Sequence, residues 1–335
     1  MEQNEQKKTV FSAVQPTGTP TIGNYIGAMK NFVAMQDEHD CIYAVADLHS
    51  LTVDIAPAVL RKNVTEMTAL FLAIGIDPEK SVFFVQSHVH EHAELTWILN
   101  CYTQFGEARR MTQFKEKSAK APENVNVGLF DYPSLMAADI LLYQTDLVPI
   151  GKDQMQHLEL SRTIAERFNN RNGATFKVPE GVLPKYGKKI QSLGNPSAKM
   201  SKSSADANSY VLVLDTPEEI RRKFKRAVTD SDACIRYDPE TKPGVSNLLT
   251  IYSAFTGKDM AASEKDFGGK DYAYLKDSVS DAVIEGLRPI KERYEKLIAD
   301  KAYLTAVMKK GAESASYRAR RTMSKVWRKL GFVRP

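Results

Sequence analysis

The sequence predicts an α/β fold, in which a parallel sheet covered by helices is followed by a second, mostly helical domain. Up to about residue 200, short β-branched or apolar runs alternate with segments of helical periodicity. This alternation is typical of βαβ units, which build parallel sheets. Residues 194–208 are polar and aperiodic, and helical periodicity dominates beyond them. We therefore expect a Rossmann-like, doubly wound domain over residues 1–208 and a helical domain over residues 209–335.

The first domain is predicted from strand and helix patterns that follow one another along the chain. Strands are expected at Thr9 to Val14, Cys41 to Val45, Val82 to Gln86 and Leu147 to Ile150. Helices are expected at Gly23 to Glu38, Pro57 to Ile74, Glu91 to Phe105, Pro133 to Tyr143 and Gln154 to Phe168. Doubly wound sheets bind ligands beyond the carboxyl ends of their strands. The loops that follow the strands are therefore where chemistry is expected.

The second domain begins with a strong helix-start signal. Thr216 can cap a helix, Pro217 fits its first position, and Glu219 completes a capping box. Further helices are expected at Ser246 to Phe255, Val279 to Ile298 and Ala312 to Leu330. A mostly helical domain follows from this pattern.

Composition indicates an ordinary globular chain. Of the 335 residues, 43% are hydrophobic and 26% charged, and the net charge of +5 is too small to indicate a nucleic-acid partner by itself. No acidic residue follows Ser314, whereas seven basic residues do. They are Arg318, Arg320, Arg321, Lys325, Arg328, Lys329 and Arg334. This tail could contact a phosphate backbone or form a solvated helix face, and the sequence favours neither.

Cysteine usage and hydropathy predict a cytoplasmic protein. Cys41, Cys101 and Cys234 are far apart and form no CxxC pair, so neither a disulfide framework nor a cysteine metal site is expected. The polar start of the chain does not resemble a signal peptide. No apolar run approaches the ~20 residues of a membrane span. We therefore expect no membrane association.

Two polar segments have residues that could bind the phosphates of a nucleoside triphosphate. The turn Pro16 to Asn24 lies between a predicted strand and helix, where backbone N–H groups and the helix dipole could hold phosphate. Its glycine spacing matches neither the dinucleotide fingerprint nor the Walker loop. Lys199-Met200-Ser201-Lys202-Ser203 lies in the polar loop, where two ammonium groups could follow the charge that develops as pyrophosphate leaves.

Asp139 lies within a predicted helix so apolar that its carboxylate requires a partner. Met136 shares its helix face, and Tyr132 and Tyr143 lie close to that face. An indole has one polar group, an N–H donor, so an indole pocket requires an acceptor among apolar walls. Asp139 could be that acceptor. A structural salt bridge or a helix cap is the alternative.

These segments resemble the HIGH and KMSKS signatures of class I aminoacyl-tRNA synthetases. Thr21-Ile22-Gly23-Asn24 is similar to the HIGH variant of the bacterial-type tryptophanyl-tRNA synthetases. The resemblance covers nearly the whole chain. It includes Ala46-Asp47-Leu48-His49, the run Met111 to Lys117, Tyr132 through Gln154, Ala227 to Ser231, Ile235 to Asp238 and Lys242 to Leu249.

The resemblance implies a homodimeric ligase that activates L-tryptophan with Mg-ATP and transfers it to the 3′ end of tRNA(Trp). The implied ATP contacts are Gln15, Pro16, Thr17, Gly23, Asn24, Gly151, Lys152, Asp153, Ile190, Lys199, Met200, Ser201, Lys202 and Ser203. The implied tryptophan contacts are Phe11, His49, Tyr132, Met136, Asp139, Val148 and Gln154. The implied catalytic lysines at the pyrophosphate are Lys117, Lys199 and Lys202. The helical domain and its basic tail would bind tRNA, including the anticodon, and the last part of the tail could pack back on the first domain.

Some features depart from the family pattern or allow another interpretation. Ala13 stands where many relatives have glycine, and Lys152 where many have an acid, but neither change removes a required group. A tyrosine-specific synthetase is the nearest alternative, because a phenol could also meet Asp139. A non-catalytic paralogue that binds tRNA is a second alternative. His88, His90 and His92 alternate as metal ligands can, but at a strand-to-helix junction we expect them to be exposed, and no protein-bound metal is predicted.

Overall fold

A parallel sheet forms the centre of the first part of the chain. A computed structural model describes residues 7–120, 125–151, 154–183 and 189–333, except for the side chains of residues 116, 117 and 120. Within these residues the strands are β1 (Thr9–Val14), β2 (Asp40–Val45), β3 (Val82–Val85), β4 (Leu147–Pro149) and β5 (Glu180–Val182). They are all parallel and lie in the order β3-β2-β1-β4-β5. The order reverses between β1 and β4, which is the position where doubly wound sheets bind ligands.

Helices separate and follow these strands. In the first part they are α1 (Ile22–Asn24), continued by a π-helical turn (Tyr25–Met29) into α2 (Lys30–Met35), then α3 (Asp47–Ser50), α4 (Pro57–Ile74), α5 (Glu91–Asn100), α6 (Phe105–Arg109), α7 (Thr112–Lys120), α8 (Val127–Leu141) and α9 (Met155–Asn172). In the second part they are α10 (Pro217–Lys225), α11 (Pro243–Thr256), α12 (Met260–Lys265), α13 (Tyr272–Ala299) and α14 (Lys301–Leu330). Among the described residues, no helix combines the length and the apolar character that crossing a membrane requires.

Both faces of the sheet are buried, which explains the continuous apolar runs in its strands. Successive side chains of a strand point to opposite faces. Tyr43 and Val45 of β2 join the core with α4 and α13, whereas Ile42 and Ala44 join the core with α5, α8 and α9. The predicted doubly wound α/β fold is confirmed, and the helical second part is present.

The last helix, α14, packs against the edge strand β3. Ala315, Ala319 and Met323 are fully buried on its inner face. Gly311 lies so close to β3 that an added Cβ would be 1.7 Å from the carbonyl oxygen of Phe83. A covered edge strand cannot pair with a second chain. The last part of the chain therefore lies on the sheet, while the predicted domain boundary at residue 208 stays a prediction.

Packing of α14 uses part of the basic tail. Arg318 donates two hydrogen bonds to the Asp40 carboxylate, at 2.6 and 3.0 Å. Arg320 donates to Glu91 at 3.1 Å. Each of these arginines forms an ion pair that joins α14 to the first part of the chain, and the Arg320 side chain is still 67% exposed.

Several helix boundaries differ from the sequence prediction: α13 begins at Tyr272 rather than Val279, and α14 begins at Lys301 rather than Ala312. The helix predicted to begin at Pro133 begins at Val127 instead, because the Asn126 side chain accepts the Leu129 N–H and caps it. The helix predicted over Glu91 to Phe105 ends at Asn100. A new helix, α6, begins at Phe105 after a capping box.

Candidate active site at the switch point of the sheet

A cleft of about 600 Å³ lies at the carboxyl ends of β1 and β4. Its lining includes most of the predicted site residues. These are Phe11, Gln15, Thr17, Asn24, His49, Tyr132, Met136, Asp139, Val148, Gly151, Gln154, Lys199, Met200, Ser201, Lys202 and Ser203. Residues that are distant in sequence therefore meet in one cleft, at the place that the strand order predicts.

The turn after β1 is closed by a reciprocal capping box. The Asn24 N–H donates to Oγ1 of Thr21 at 3.2 Å, and the Thr21 N–H donates to Oδ1 of Asn24 at 3.1 Å. These bonds satisfy helix-start groups that would otherwise lack partners. The Ile22 N–H donates to the Val211 carbonyl at 2.9 Å. The turn is thus fixed to the segment that follows the lysine loop.

The lysine loop, residues 199–203, contacts the turn directly. The Met200 N–H donates to the Ile190 carbonyl at 3.0 Å. A Cβ added at Gly23 would lie 3.4 Å from Cβ of Ile190 and 3.6 Å from Cβ of Met200. These distances are ordinary van der Waals contacts, so Gly23 lies directly against both segments. Gly23 and Ile190 support the cleft from behind and are not part of its lining.

Lys202 joins the loop to the turn by hydrogen bonds. Its Nζ donates to the carbonyl oxygens of Thr17, at 2.7 Å, and Gly18, at 3.1 Å. Partial burial lowers the pKa of the Lys202 ammonium. Lys199, Ser201 and Ser203 are exposed at the same end of the cleft. This end can supply ammonium and hydroxyl donors to an anion.

Asp139 is buried at the other end of the cleft, with 2% of its surface exposed. His49 Nε2 lies 2.9 Å from its Oδ2. Gln86 Nε2, at 2.7 Å, and His92 Nδ1, at 2.6 Å, both meet its Oδ1. Burial alone would raise the pKa of Asp139, but hydrogen bonds from His49 and His92 hold it well below its usual range. The carboxylate is therefore ionised and partly satisfied by the protein.

Aromatic and apolar side chains surround this carboxylate. The ring of Phe11 stacks on Tyr143, with centroids 5.6 Å apart. The Tyr132 hydroxyl lies 2.7 Å from His157 Nε2 and donates to Gln113 Oε1 at 3.2 Å. Gln113 also lines the cleft. The arrangement is a largely apolar pocket with one buried anion, which suits a flat ring that carries a single donor.

The sequence prediction missed three residues that shape this end of the cleft. Gln113 lies in the run Met111 to Lys117, for which the resemblance implies no glutamine contact, and the sequence predicts Gln86 only as the end of a strand. The expected exposure of His92 was wrong, because His92 is fully buried beside Asp139. The sequence does hold a signal for the burial of His92, because apolar residues stand three positions before and after it, at Val89 and Leu95. Both of these residues are fully buried.

Other predicted positions lie away from the cleft or outside the described residues. Pro16 is buried in the turn and is not part of the lining. The side chain of Lys117 and the residues Lys152 and Asp153 lie outside the part of the chain that the structure describes. Within that part, no group of three or more His, Cys, Asp or Glu residues is arranged to hold a metal ion.

The fold and the cleft define a doubly wound α/β protein with a candidate ligand site at the switch point of its sheet. The family model described as "tRNA synthetases class I (W and Y)" matches residues 3–288. The tryptophan–tRNA ligase of Clostridium tetani is 51% identical over 333 residues, which are 99% of this chain and 98% of the relative. The same enzyme of Clostridium acetobutylicum is 50% identical over 332 residues, which are 99% of each chain.

Solved structures agree with these relatives. Tryptophanyl-tRNA synthetase from Mycoplasma pneumoniae has a TM-score of 0.90 and 35% identity, covering 98% of this chain and 99% of the other. The Campylobacter jejuni enzyme, complexed with ADP and tryptophan, has a TM-score of 0.84 and 33% identity, covering 97% and 100%. The chain belongs to the class I tRNA synthetase family for tryptophan and tyrosine, and it is an aminoacyl-tRNA synthetase.

Proposed function

We propose that this chain is a tryptophan–tRNA ligase. It activates L-tryptophan with ATP, giving tryptophanyl-adenylate and pyrophosphate, and transfers the tryptophanyl group to the 3′ end of tRNA(Trp). The observation that carries the proposal is a buried, ionised Asp139 in the same cleft as the turn and the lysine loop. Full-length relatives at half identity that are tryptophan–tRNA ligases support it.

The proposed tryptophan pocket has Asp139 as its acceptor. Each carboxylate oxygen can accept two hydrogen bonds. Oδ1 has two donors, and Oδ2 has one, from His49. One acceptor position on Oδ2 is left for an indole N–H. The proposed contacts around the tryptophan are Phe11, His49, Tyr132, Met136, Val148 and Gln154.

The opposite end of the cleft is the proposed ATP site. Gln15, Thr17 and Asn24 belong to the turn, where an α-helix and a π-helical turn begin in succession. Lys202 now donates to two carbonyls of that turn. Phosphate oxygens are stronger acceptors for an ammonium than neutral carbonyls are. We infer that the lysine moves from the carbonyls to the leaving pyrophosphate. The further proposed ATP contacts are Pro16, Gly23, Gly151, Lys152, Asp153, Ile190, Lys199, Met200, Ser201 and Ser203.

In the proposed reaction the tryptophan carboxylate attacks the α-phosphate of ATP. This nucleophile is already ionised, so no general base is required. Rate enhancement comes from alignment of the two substrates and from positive charge at the leaving group. Lys199 and Lys202 supply that charge, and Lys117 is proposed with them from the family resemblance. Magnesium is proposed as part of the MgATP substrate.

Binding of tRNA is proposed for the helical part of the chain and for the exposed part of the basic tail. Arg318 and Arg320 are engaged in ion pairs with the first domain. The exposed basic residues of α14 beyond them are Arg321, Lys325, Arg328 and Lys329. We propose that these residues, with the helical domain from residue 209, contact the phosphate backbone. A cytoplasmic location is part of the proposal, because protein synthesis takes place there.

A homodimer is proposed, with an exposed apolar surface on α5, α6 and α8 as its interface. Trp97 is 72% exposed, Phe105 is 69% exposed and Val127 is 75% exposed. Phe105 contacts Phe130 of α8, with centroids 5.0 Å apart. Clusters of exposed apolar side chains mark interaction sites. Sedimentation of Trp97→Glu should give a monomer, whereas Tyr303→Glu, at an exposed aromatic on α14, should sediment as the unmodified chain does.

Pyrophosphate exchange measured with each of the twenty amino acids tests the proposed function. We expect exchange with tryptophan alone, followed by aminoacylation of a tryptophan tRNA transcript. Exchange with tyrosine would favour the alternative specificity, because a phenol hydroxyl could meet the same Asp139 oxygen. No exchange with any amino acid would favour a paralogue that only binds tRNA. A Lys199→Ala, Lys202→Ala variant is the negative control for exchange.

A further inference from the structure

Asp139 is held by a series of hydrogen-bonded side chains, His92 and Tyr143, that leads away from the cleft. His92 Nδ1 lies 2.6 Å from Oδ1 of Asp139, and His92 Nε2 lies 2.8 Å from the Tyr143 hydroxyl. His92 is fully buried, and Tyr143 is 5% exposed. Neither residue forms part of the cleft lining. His92 and Tyr143 therefore contact Asp139 on the side away from the cleft, where they do not touch a substrate.

The hydrogen bonds along this series of side chains assign the tautomer of His92. A carboxylate only accepts hydrogen bonds, so His92 Nδ1 carries the hydrogen that faces Asp139. In a neutral ring Nε2 is then an acceptor, and the Tyr143 hydroxyl donates to it. Burial raises the pKa of the Tyr143 hydroxyl well above its usual value, so that it stays a donor. One tautomer therefore satisfies every polar atom along the series.

Gln86 restrains the same carboxylate oxygen from a second direction. Its Nε2 donates to Oδ1 of Asp139 at 2.7 Å, and its Oε1 accepts the Leu48 N–H at 3.1 Å. Gln86 directly follows β3 and is 1% exposed. Two rigidly held donors thus saturate Oδ1 and fix the plane of the carboxylate. The open acceptor position is confined to Oδ2, the oxygen that meets the cleft residue His49.

We propose that His92, supported by Tyr143, is a positioning residue for the selection of tryptophan. By occupying Oδ1 of Asp139, it orients the open acceptor position of Oδ2 toward the indole N–H. This inference rests on the proposed function, since it requires tryptophan as the substrate. It assigns a role in specificity to a histidine that touches no substrate atom.

A substrate isostere without the N–H separates this role from simple packing. In β-(3-benzothienyl)-alanine, sulfur replaces the indole N–H and the ring size changes little. The ratio of kcat/KM for tryptophan to that for the isostere therefore reports the hydrogen bond to Asp139. Loss of packing lowers both values together and leaves the ratio unchanged. A hydrogen bond to a charged group corresponds to a ratio of roughly 10 to 100.

The experiment measures this ratio by pyrophosphate exchange in the full chain and its variants. His92→Leu, which has no donor, should lower the ratio by roughly tenfold through a raised KM for tryptophan, with the KM for ATP unchanged. His92→Asn can keep a donor near the position of Nδ1 and should restore most of the ratio. Tyr143→Phe loses only the hydroxyl and should lower the ratio by about threefold. His90→Leu alters an exposed histidine two residues away and is the matched control, with no change expected.

The outcomes distinguish this inference from the proposed function. An unmodified chain that does not activate tryptophan would overturn the proposed function. The unmodified chain and a folded His92→Leu variant could also show the same ratio of kcat/KM for tryptophan to that for the isostere. This outcome would overturn only the role of His92. Should His92→Leu fail to fold, Tyr143→Phe decides, because an unchanged ratio in that variant overturns the inference.

Discussion

Gly311→Ala tests the docking of α14 on the sheet. Gly311 lies inside α14, where alanine would ordinarily stabilise a helix. Here the added Cβ would be 1.7 Å from the carbonyl oxygen of Phe83 and 2.7 Å from its carbonyl carbon. Both are backbone atoms of β3, so no side-chain rotation relieves the contact. The helix or the strand must move apart.

The size of the effect follows from these distances. Cβ atoms essentially never approach another atom within 3.0 Å, so α14 must move by more than an ångström. Overpacking of this kind costs about 3 kcal/mol. The helix propensity of alanine returns about 1 kcal/mol. We expect a net loss of about 2 kcal/mol, which lowers the unfolding midpoint by about 3 °C at the unfolding entropy of a chain of 335 residues.

Thermal unfolding followed by circular dichroism measures this shift. Gly27→Ala is the matched control, because a Cβ at Gly27, in the π-helical turn before α2, meets no atom within 4 Å. Its midpoint should stay unchanged or rise slightly. A midpoint that is unchanged or raised in Gly311→Ala would refute close packing of α14 on β3. It would then favour a free α14, with Arg318 and Arg320 available to tRNA.

Three further predictions concern a lysine, an acid-sensitive contact and a helix cap. Lys202→Met should lower kcat/KM for ATP in pyrophosphate exchange by roughly 100- to 1000-fold, whereas Lys189→Met, at an exposed lysine upstream, should change it little. Similar losses in both variants would contradict a specific role. Burial opposes ionisation of Asp230, but hydrogen bonds from Tyr272 and a buried lysine lower its pKa to about 2, below the unfolded value of about 3.9. The ionised Asp230 therefore contributes to stability above about pH 4, and this contribution is lost as the pH falls toward about 2. In Asp230→Asn, the unfolding midpoint should depend less on pH between these values. The same pH dependence in the variant and the unmodified chain would contradict this prediction. Thr216→Ala removes the cap of α10 and should lower the free energy of unfolding by about 1 kcal/mol in a urea titration, and an unchanged value would show that the cap contributes nothing.

The longer strands could be predicted from the sequence because burial on both faces leaves an apolar run. β5 could not be predicted, because most of it is exposed and it has no apolar run. It has three residues, Glu180–Val182, of which Glu180 and Gly181 are exposed and have low β propensity. It forms only because it pairs with β4 at the edge of the sheet. Its strand character comes from a tertiary contact that no local pattern records.

The start of α8 was mispredicted because two helix signals compete in that segment. Pro133 favours the first turn of a helix, so a start at Pro133 follows from local preference. Asn126 supplies a side-chain cap seven residues before Pro133, where the predicted helix begins, and apolar packing of Leu129 extends the helix to it. Cap and packing together outweigh the hydrogen bond that a proline inside a helix lacks.

Motifs in the sequence predicted which segments form the candidate site but not how its polar atoms pair. The partners of Asp139 come from α3, the end of β3 and α5, up to 90 residues away. No spacing pattern in one sequence connects them. The basic tail is a similar case, because the acids that pair with Arg318 and Arg320 lie at the start of β2 and of α5. Tertiary packing alone decides that Arg318 holds α14 to β2 and that Arg320 holds it to α5.

The incomplete pairing of Asp139 bears on specificity. Burial of an ionised carboxylate costs several kcal/mol, which hydrogen bonds must offset. Three donors offset part of that cost, and a fourth acceptor position is left open at Oδ2. A ring with no donor would bury that position without a partner and keep the cost, whereas an indole N–H removes it. In the proposed tryptophan pocket, this open acceptor position on Oδ2 is the source of discrimination, and rigid support of Oδ1 by His92 and Gln86 keeps the position directed at the proposed substrate.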